Sequence, residues 1–193
     1  PGSTIYYAFL HVGYDGLPGW AKTASGDGDY DIASGTTQQP ITIRAYPGEK
    51  PVSKGYPLVF WEKNNWIVDG ITLDGGNVLI TGGTTSGLMP HEITLRNNNI
   101  YGYTAWPGNN PGIIKVNRGD VMGPYNIFIY NNTLHDARAC SDSTCTTIYA
   151  WNETSTHMIA AITTLSTQVY TGYDNGGTGY IEIINNTIYN VTN

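Results

Sequence analysis

Apolar and polar residues alternate along this chain in short runs, and one such run returns three times with the same ending. Glu92-Ile-Thr-Leu-Arg-Asn-Asn-Asn-Ile100, Asn126-Ile-Phe-Ile-Tyr-Asn-Asn-Thr-Leu134 and Tyr180-Ile-Glu-Ile-Ile-Asn-Asn-Thr-Ile188 superimpose without gaps. Each has two aliphatic residues at a period of two, then an Asn pair, then another aliphatic residue. A period of two puts alternate side chains on one face of a strand. The segments therefore predict inward columns Ile93/Ile127/Ile181, Leu95/Ile129/Ile183 and Ile100/Leu134/Ile188. Asn98, Asn132 and Asn186 fall at the bend between strands, where stacked amides can hydrogen-bond from one coil to the next.

A second set of short strands lies between these repeats. Val78-Leu-Ile80, Ile114-Lys-Val116 and Ala160-Ala-Ile162 read as one strand of successive coils, with Lys115 and Ala161 facing outward. Pro40-Ile-Thr-Ile-Arg-Ala45 and Trp66-Ile-Val-Asp-Gly-Ile71 read as earlier coils. The ladder Asn residues are unevenly spaced, at positions 98, 132 and 186. A solenoid tolerates such variation, because insertions bulge from its corners without disturbing the stack. The pattern predicts an all-β, right-handed parallel β-helix forming a single domain over 1–193, with a loop insertion at about 137–157. The final coil shows no polar cap, which leaves strand edges open to pairing. Either the natural chain continues, making this a fragment, or something stacks there.

Composition supports strands and narrows the functional classes. Only 12% of residues are charged, and the net charge is −6. Short β-branched and aromatic runs separated by Gly, Asn, Asp and Pro are strand and turn chemistry. Lys and Arg are scattered, without the basic stripe of a nucleic-acid binder. No apolar run reaches the ~20 residues that span a bilayer as a helix.

Cys140-Ser-Asp-Ser-Thr-Cys145 suits a small disulfide loop. Zinc is the rival reading of the pair, and it would need two more ligands nearby. Asn131, Asn152, Asn185 and Asn190 begin Asn-x-Ser/Thr sequons, which carry sugar where the source organism glycosylates. Disulfide and sequons together point to an extracellular or cell-surface protein.

The opening of the chain carries a family resemblance. Pro1-Gly-Ser-Thr-Ile-Tyr6, Gly35-Thr-Thr-Gln-Gln-Pro-Ile-Thr-Ile-Arg-Ala-Tyr-Pro-Gly-Glu49 and Asn65-Trp-Ile-Val-Asp-Gly-Ile-Thr-Leu73 follow one another as at the start of pectate-lyase-like β-helix proteins. The chain looks most like the alginate lyase and chondroitinase B group, and the Asn-Asn-Thr turns extend the likeness to Asn193. The resemblance implies a β-helix and an acidic polysaccharide as partner. It fixes no catalytic residue, because the signature motifs of the polygalacturonases, mannuronan epimerases, true pectate lyases and alginate lyases are absent.

Uronate elimination needs a base for the C5 proton, a cation or donors for the carboxylate, and an acid for the leaving oxygen. Lys115-Val-Asn-Arg118-Gly-Asp120 and His135-Asp-Ala-Arg138, on successive coils, offer such groups. Lys115 would be the base, Arg118 or Arg138 would meet the carboxylate, and His135 would be the acid. These are equally the ordinary solvated side chains of a β-helix face. Asp27, Asp29 and Asp31 alternate in a Gly-rich loop that suits Ca²⁺, or that serves as a polar turn without metal. Trp106 and Trp151 lie in loops where their faces can meet sugars or pack on the solenoid.

Two functional readings follow. One is a secreted polyuronate lyase or a glycan-binding relative. The other is a non-catalytic adhesin, sheath or filament subunit that self-associates through its coil ends.

Overall fold

The computed structural model describes residues 5–6, 10–13, 34–55, 57–81, 90–105, 112–117, 124–139, 160–165 and 180–192. These form short strands arranged as successive coils. The first coil holds β1 (Ile5–Tyr6), β2 (Leu10–Gly13) and β3 (Ile41–Arg44). The second holds β4 (Val52–Lys54), β5 (Leu58–Trp61) and β6 (Asn64–Asp69), and the third β7 (Thr72–Asp74), β8 (Val78–Thr81) and β9 (His91–Arg96). The fourth holds β10 (Asn99–Tyr101), β11 (Thr104–Ala105), β12 (Gly112–Asn117) and β13 (Tyr125–Tyr130). The fifth holds β14 (Thr133–Ala139), β15 (Ala160–Leu165) and β16 (Ile181–Ile184), and β17 (Thr187–Thr192) opens another turn.

Three sheets run along the stack. Sheet A contains β1, β4, β7, β10 and β14, with β11 and β17 also pairing β14. Sheet B is ordered β2-β5-β8-β12-β15, and sheet C β3-β6-β9-β13-β16. Every pairing among the described strands is parallel. This is a parallel β-helix.

The predicted inward columns are present and continue into earlier coils. Ile41, Trp66, Ile93, Ile127 and Ile181 share one register position, and Ile43, Val68, Leu95, Ile129 and Ile183 the next inward one. Leu73, Ile100, Leu134 and Ile188 form the column on sheet A. Sheet B contributes Leu58, Phe60, Val78, Ile80, Ile114 and Val116 to the same core. Each fully buried aliphatic side chain of this kind stabilises the fold by roughly 1.5–3 kcal/mol relative to exposure.

One register differs from the sequence expectation. Ile162, not Ala160, pairs with Ile114, and Lys115 pairs with Thr163. Ala161 packs against the core instead of standing clear of it. Ala-Ala-Ile offers two small residues in a row, so the apolar pattern alone fits two registers two residues apart.

The Asn ladder is complete. Asn98 Nδ2 donates to Asn132 Oδ1 at 3.0 Å, and Asn132 Nδ2 to Asn186 Oδ1 at 3.0 Å. The same oxygens accept the backbone N–H groups of Asn98 (3.0 Å) and Asn132 (2.9 Å), while Asn98 Oδ1 accepts that of Ile71 at 3.1 Å. Each amide also donates to the carbonyl of a preceding-coil residue, Val68, Leu95 or Ile129 in turn. Asn98 and Asn132 are buried, so these bonds satisfy groups that water cannot reach.

The first Asn of each pair has a separate task. Asn97, Asn131 and Asn185 have φ of 57°, 52° and 54°, and Gly70 holds the equivalent place at 74°. Asn tolerates this left-handed region better than most residues with a Cβ. A second column of positive φ follows sheet A, at Gly55, Gly75, Gly102, Asp136 and Asn190. A Cβ at Gly102 would lie 3.3 Å from the backbone nitrogen of Gly75, so close stacking also favours glycine there.

Candidate functional site

β12 places Lys115. Ile114 and Val116 face the core, so their neighbour faces out, in register with Val59 of β5, Leu79 of β8 and Thr163 of β15. Lys115 is half-buried, and Val59 in the same column is buried. Burial holds the Lys115 amine below the ordinary lysine range, because a charged ammonium loses hydration there.

Longer stretches of sequence separate the strands of sheet B from their neighbours. Residues 82–90 and 118–124 join β8 and β12 to sheet C, while 106–111 and 140–159 lead into β12 and β15. By contrast, only residues 97–98, 131–132 and 185–186 separate sheet C from sheet A in the later coils.

β14 places His135 on the outer face of sheet A. It belongs to the column Lys54, Asp74, Tyr101, His135 and Tyr189. Its ring stacks between Tyr101, at a centroid distance of 5.0 Å, and Tyr189, at 4.6 Å. Nδ1 meets Asp136 Oδ2 at 2.7 Å and Nε2 meets Asn99 Oδ1 at 3.0 Å. Further along the column Lys54 pairs with Asp74 at 3.3 Å. Burial and the adjacent Asp74 carboxylate push the Tyr101 phenol up. Arg138, on the same strand, donates from Nε to Thr104 Oγ1 at 3.4 Å and is exposed.

Lys115 and His135 therefore stand on different sheets. Successive coils bring residues together only within one sheet, and the sequence places these two on adjacent coils without revealing the sheet of each. His135 has both ring nitrogens engaged and both faces covered. Its stacking partners were legible: Tyr101, His135 and Tyr189 each lie three residues after a ladder Asn.

The outer face of sheet C carries a charged and aromatic strip. Arg96 donates from Nε to Asp69 Oδ2 at 2.9 Å, and Asn97 Nδ2 donates to Asp69 Oδ1 at 2.7 Å. Partial burial pushes the Asp69 carboxyl up, but the Asn97 and Arg96 hydrogen bonds, with the charges of Arg96 and Arg44, outweigh it and hold the group below its usual range. Tyr130 donates to Glu182. Its phenol is pushed up to about 12, by desolvation first and then by the Glu182 carboxylate.

Of the sequons, Asn131, Asn185 and Asn190 all occupy exposed positions with positive φ, and Asn190 donates its amide to Asp136 Oδ1 at 3.0 Å. Asp27, Asp29, Asp31, Trp106, Arg118, Cys140, Cys145, Trp151 and Asn152 lie outside the described residues. Among the described residues no three His, Cys, Asp or Glu side chains converge as metal ligands, and no helix is long and apolar enough to cross a membrane. Compared with protein-family models, curated proteins and solved structures, the chain has no match, so its assignment to the parallel β-helices rests on its own three parallel sheets.

Proposed function

We propose that this chain is an extracellular, carbohydrate-active β-helix of the pectate-lyase-like type, which cleaves an acidic polysaccharide by β-elimination on the outer face of sheet B. The observation that carries this is Lys115: a half-buried amine in an outward column that also holds His11, Val59, Leu79 and Thr163. Burial favours its neutral form, as a general base requires.

In the reaction the Lys115 amine takes the C5 proton of a uronate. The electron pair forms the C4–C5 double bond, the C4–O bond breaks, and an acid protonates the departing oxygen. Arg118, three residues on, would meet the uronate carboxylate. Calcium would supply further charge neutralisation if Asp27, Asp29 and Asp31 hold it. His135 and Arg138 would serve only a substrate that also reaches sheet A. The Asn-x-Ser/Thr turns and the Cys140/Cys145 pair support secretion.

The test is ultraviolet absorbance of unsaturated uronate during incubation with alginate, pectate or chondroitin, with Ca²⁺ and with chelator. Absorbance should rise on one polymer and disappear in Lys115→Ala. Activity that survives that substitution would keep the lyase and remove Lys115 as base. Absence of product on every polymer would remove the lyase.

A further inference from the structure

Sheet C presents two outward columns: Thr42, Ile67, Thr94, Phe128 and Glu182 in one, and Arg44, Asp69, Arg96, Tyr130 and Ile184 in the other. Arg44 and Arg96 stand two coils apart in the same column, hence about 10 Å apart along the axis at the usual strand spacing. Between them Asp69 grips Arg96 through Nε and Nη2, both at 2.9 Å. That grip orients the guanidinium while its side chain remains 45% exposed. Arg44 is exposed and acts on Asp69 through its charge.

The next coils continue the strip with rings. Phe128 lies 5.9 Å from Tyr130 and meets Tyr180 edge-on at 5.6 Å, with Tyr180 exposed. Glu182 holds the Tyr130 hydroxyl. Along the first three coils the face thus alternates Arg44, Asp69 and Arg96, with Glu92 also on β9, and aromatic rings follow along the last two.

We propose that the outer face of sheet C is a docking track for a linear acidic polysaccharide laid along the solenoid axis. Arg44 and Arg96 take carboxylates of alternate sugars, and Phe128, Tyr130 and Tyr180 carry the sugar rings that follow. Guanidinium groups suit planar carboxylates because they offer paired donors, and rings with polar edges suit sugars, which have apolar faces and hydroxyl rims. A duplex nucleic acid fits poorly. It carries one charge per ~1.7 Å, far denser than two guanidinium groups about 10 Å apart can match. The substrate class rests on the function proposed above, but the surface does not, since no residue of sheet B takes part.

The experiment is electrophoresis of the full chain through native gels cast with alginate, polygalacturonate, chondroitin sulfate or neutral dextran. Wild type, Arg44→Glu, and Arg44→Glu/Arg96→Gln would be run, with circular dichroism melts to show that each is folded. One of the acidic polymers should retard the wild type, dextran should not, and added salt should weaken the effect. Arg44→Glu should weaken retardation roughly tenfold and the double variant further, since opposed charge at a contact is strongly disfavoured. If Arg96→Gln fails to fold, because Asp69 loses its partner, Arg44→Glu alone decides. Equal retardation of wild type and variants, or retardation by dextran to the same degree, overturns the track. Arginine-dependent retardation without unsaturated product would sustain the track and remove the lyase. Product formation with retardation indifferent to both charges would do the reverse.

Discussion

The corner between sheets C and A and the outer face of sheet B are built from the same coils and follow opposite rules. At the last three turns of the corner two residues suffice, and both are Asn: one takes a left-handed backbone angle and the other joins the amide ladder. Around sheet B the connections vary in length and composition, and the outward column passes from Val59 and Leu79 to Lys115. The corner holds the stack in register and has little freedom to change. Sheet B can lengthen its loops and alter its outward residues, because the inward columns beneath it are already satisfied. Loops on a rigid scaffold are where binding and catalysis usually reside.

Substitution at each region should separate stability from chemistry. The largest effect is expected for Lys115→Met on uronate elimination, a rate loss of roughly 10²–10⁴-fold as for removal of a general base. The fold should be unharmed, since Met matches the apolar neighbours. Loss of both activity and fold would break the contrast.

At the corner, Asn132→Ala should lower unfolding free energy by about 3–5 kcal/mol, because it orphans the buried Asn98 N–H and the Leu95 carbonyl together. Asn186→Ala, at a less buried rung, should lower it by about 1–2 kcal/mol. Urea denaturation midpoints would check the gradient, and equal losses at the two rungs would contradict burial as its cause.

The pH dependence sharpens the contrast further. Because the Lys115 amine lies below its ordinary value of 10.5, the folded chain binds fewer protons than the unfolded chain between the lowered value and 10.5. Stability should rise with pH across that window and bear the full penalty of the buried charge below it. Lys115→Met should remove this rising contribution in denaturation series at alkaline pH, leaving the opposite one of the raised Tyr101 and Tyr130 phenols. Asp69 acts at the other end. Its contribution is complete above the ordinary carboxylate value of 3.8 and is lost as pH falls through the lowered one. Asp69→Asn should flatten the acid limb by under about 1 kcal/mol, since the pair with Arg96 is solvent-facing.

The smallest effect is expected for Trp66→Phe. Among the described residues the buried Trp66 indole N–H finds no hydrogen-bond partner, so removing it offsets part of the lost packing against Phe60. The net change should be within about 1 kcal/mol, read from the same denaturation curves.

The ladder and the inward columns were legible because burial and amide stacking demand particular side chains at every coil. Ile93, Ile127 and Ile181, or Asn98, Asn132 and Asn186, repeat as residues. The turn after sheet A was not legible, because its requirement is a backbone angle that Gly55, Gly75, Gly102, Asp136 and Asn190 meet by different means. Sheet B was half legible: Ile114 and Val116 were placed inward, but the run Ala160-Ala161-Ile162 slid by two residues. Of the proposed catalytic groups, Lys115 faces outward as its flanking residues required. The sheet of His135 could be known only from the Asn turn three residues before it.

A constant register has a consequence for how such a chain can be shortened or grown. Thr133 pairs with Asn99, which pairs with Thr72, and Ile162 pairs with Ile114, which pairs with Val78. Excising residues 99–132 would therefore join Asn98 to Thr133 and bring β14, β15 and β16 onto β7, β8 and β9 with each column still matched. The molecule is modular at the level of the coil, and whole-coil deletion keeps a register that a deletion of another length would break.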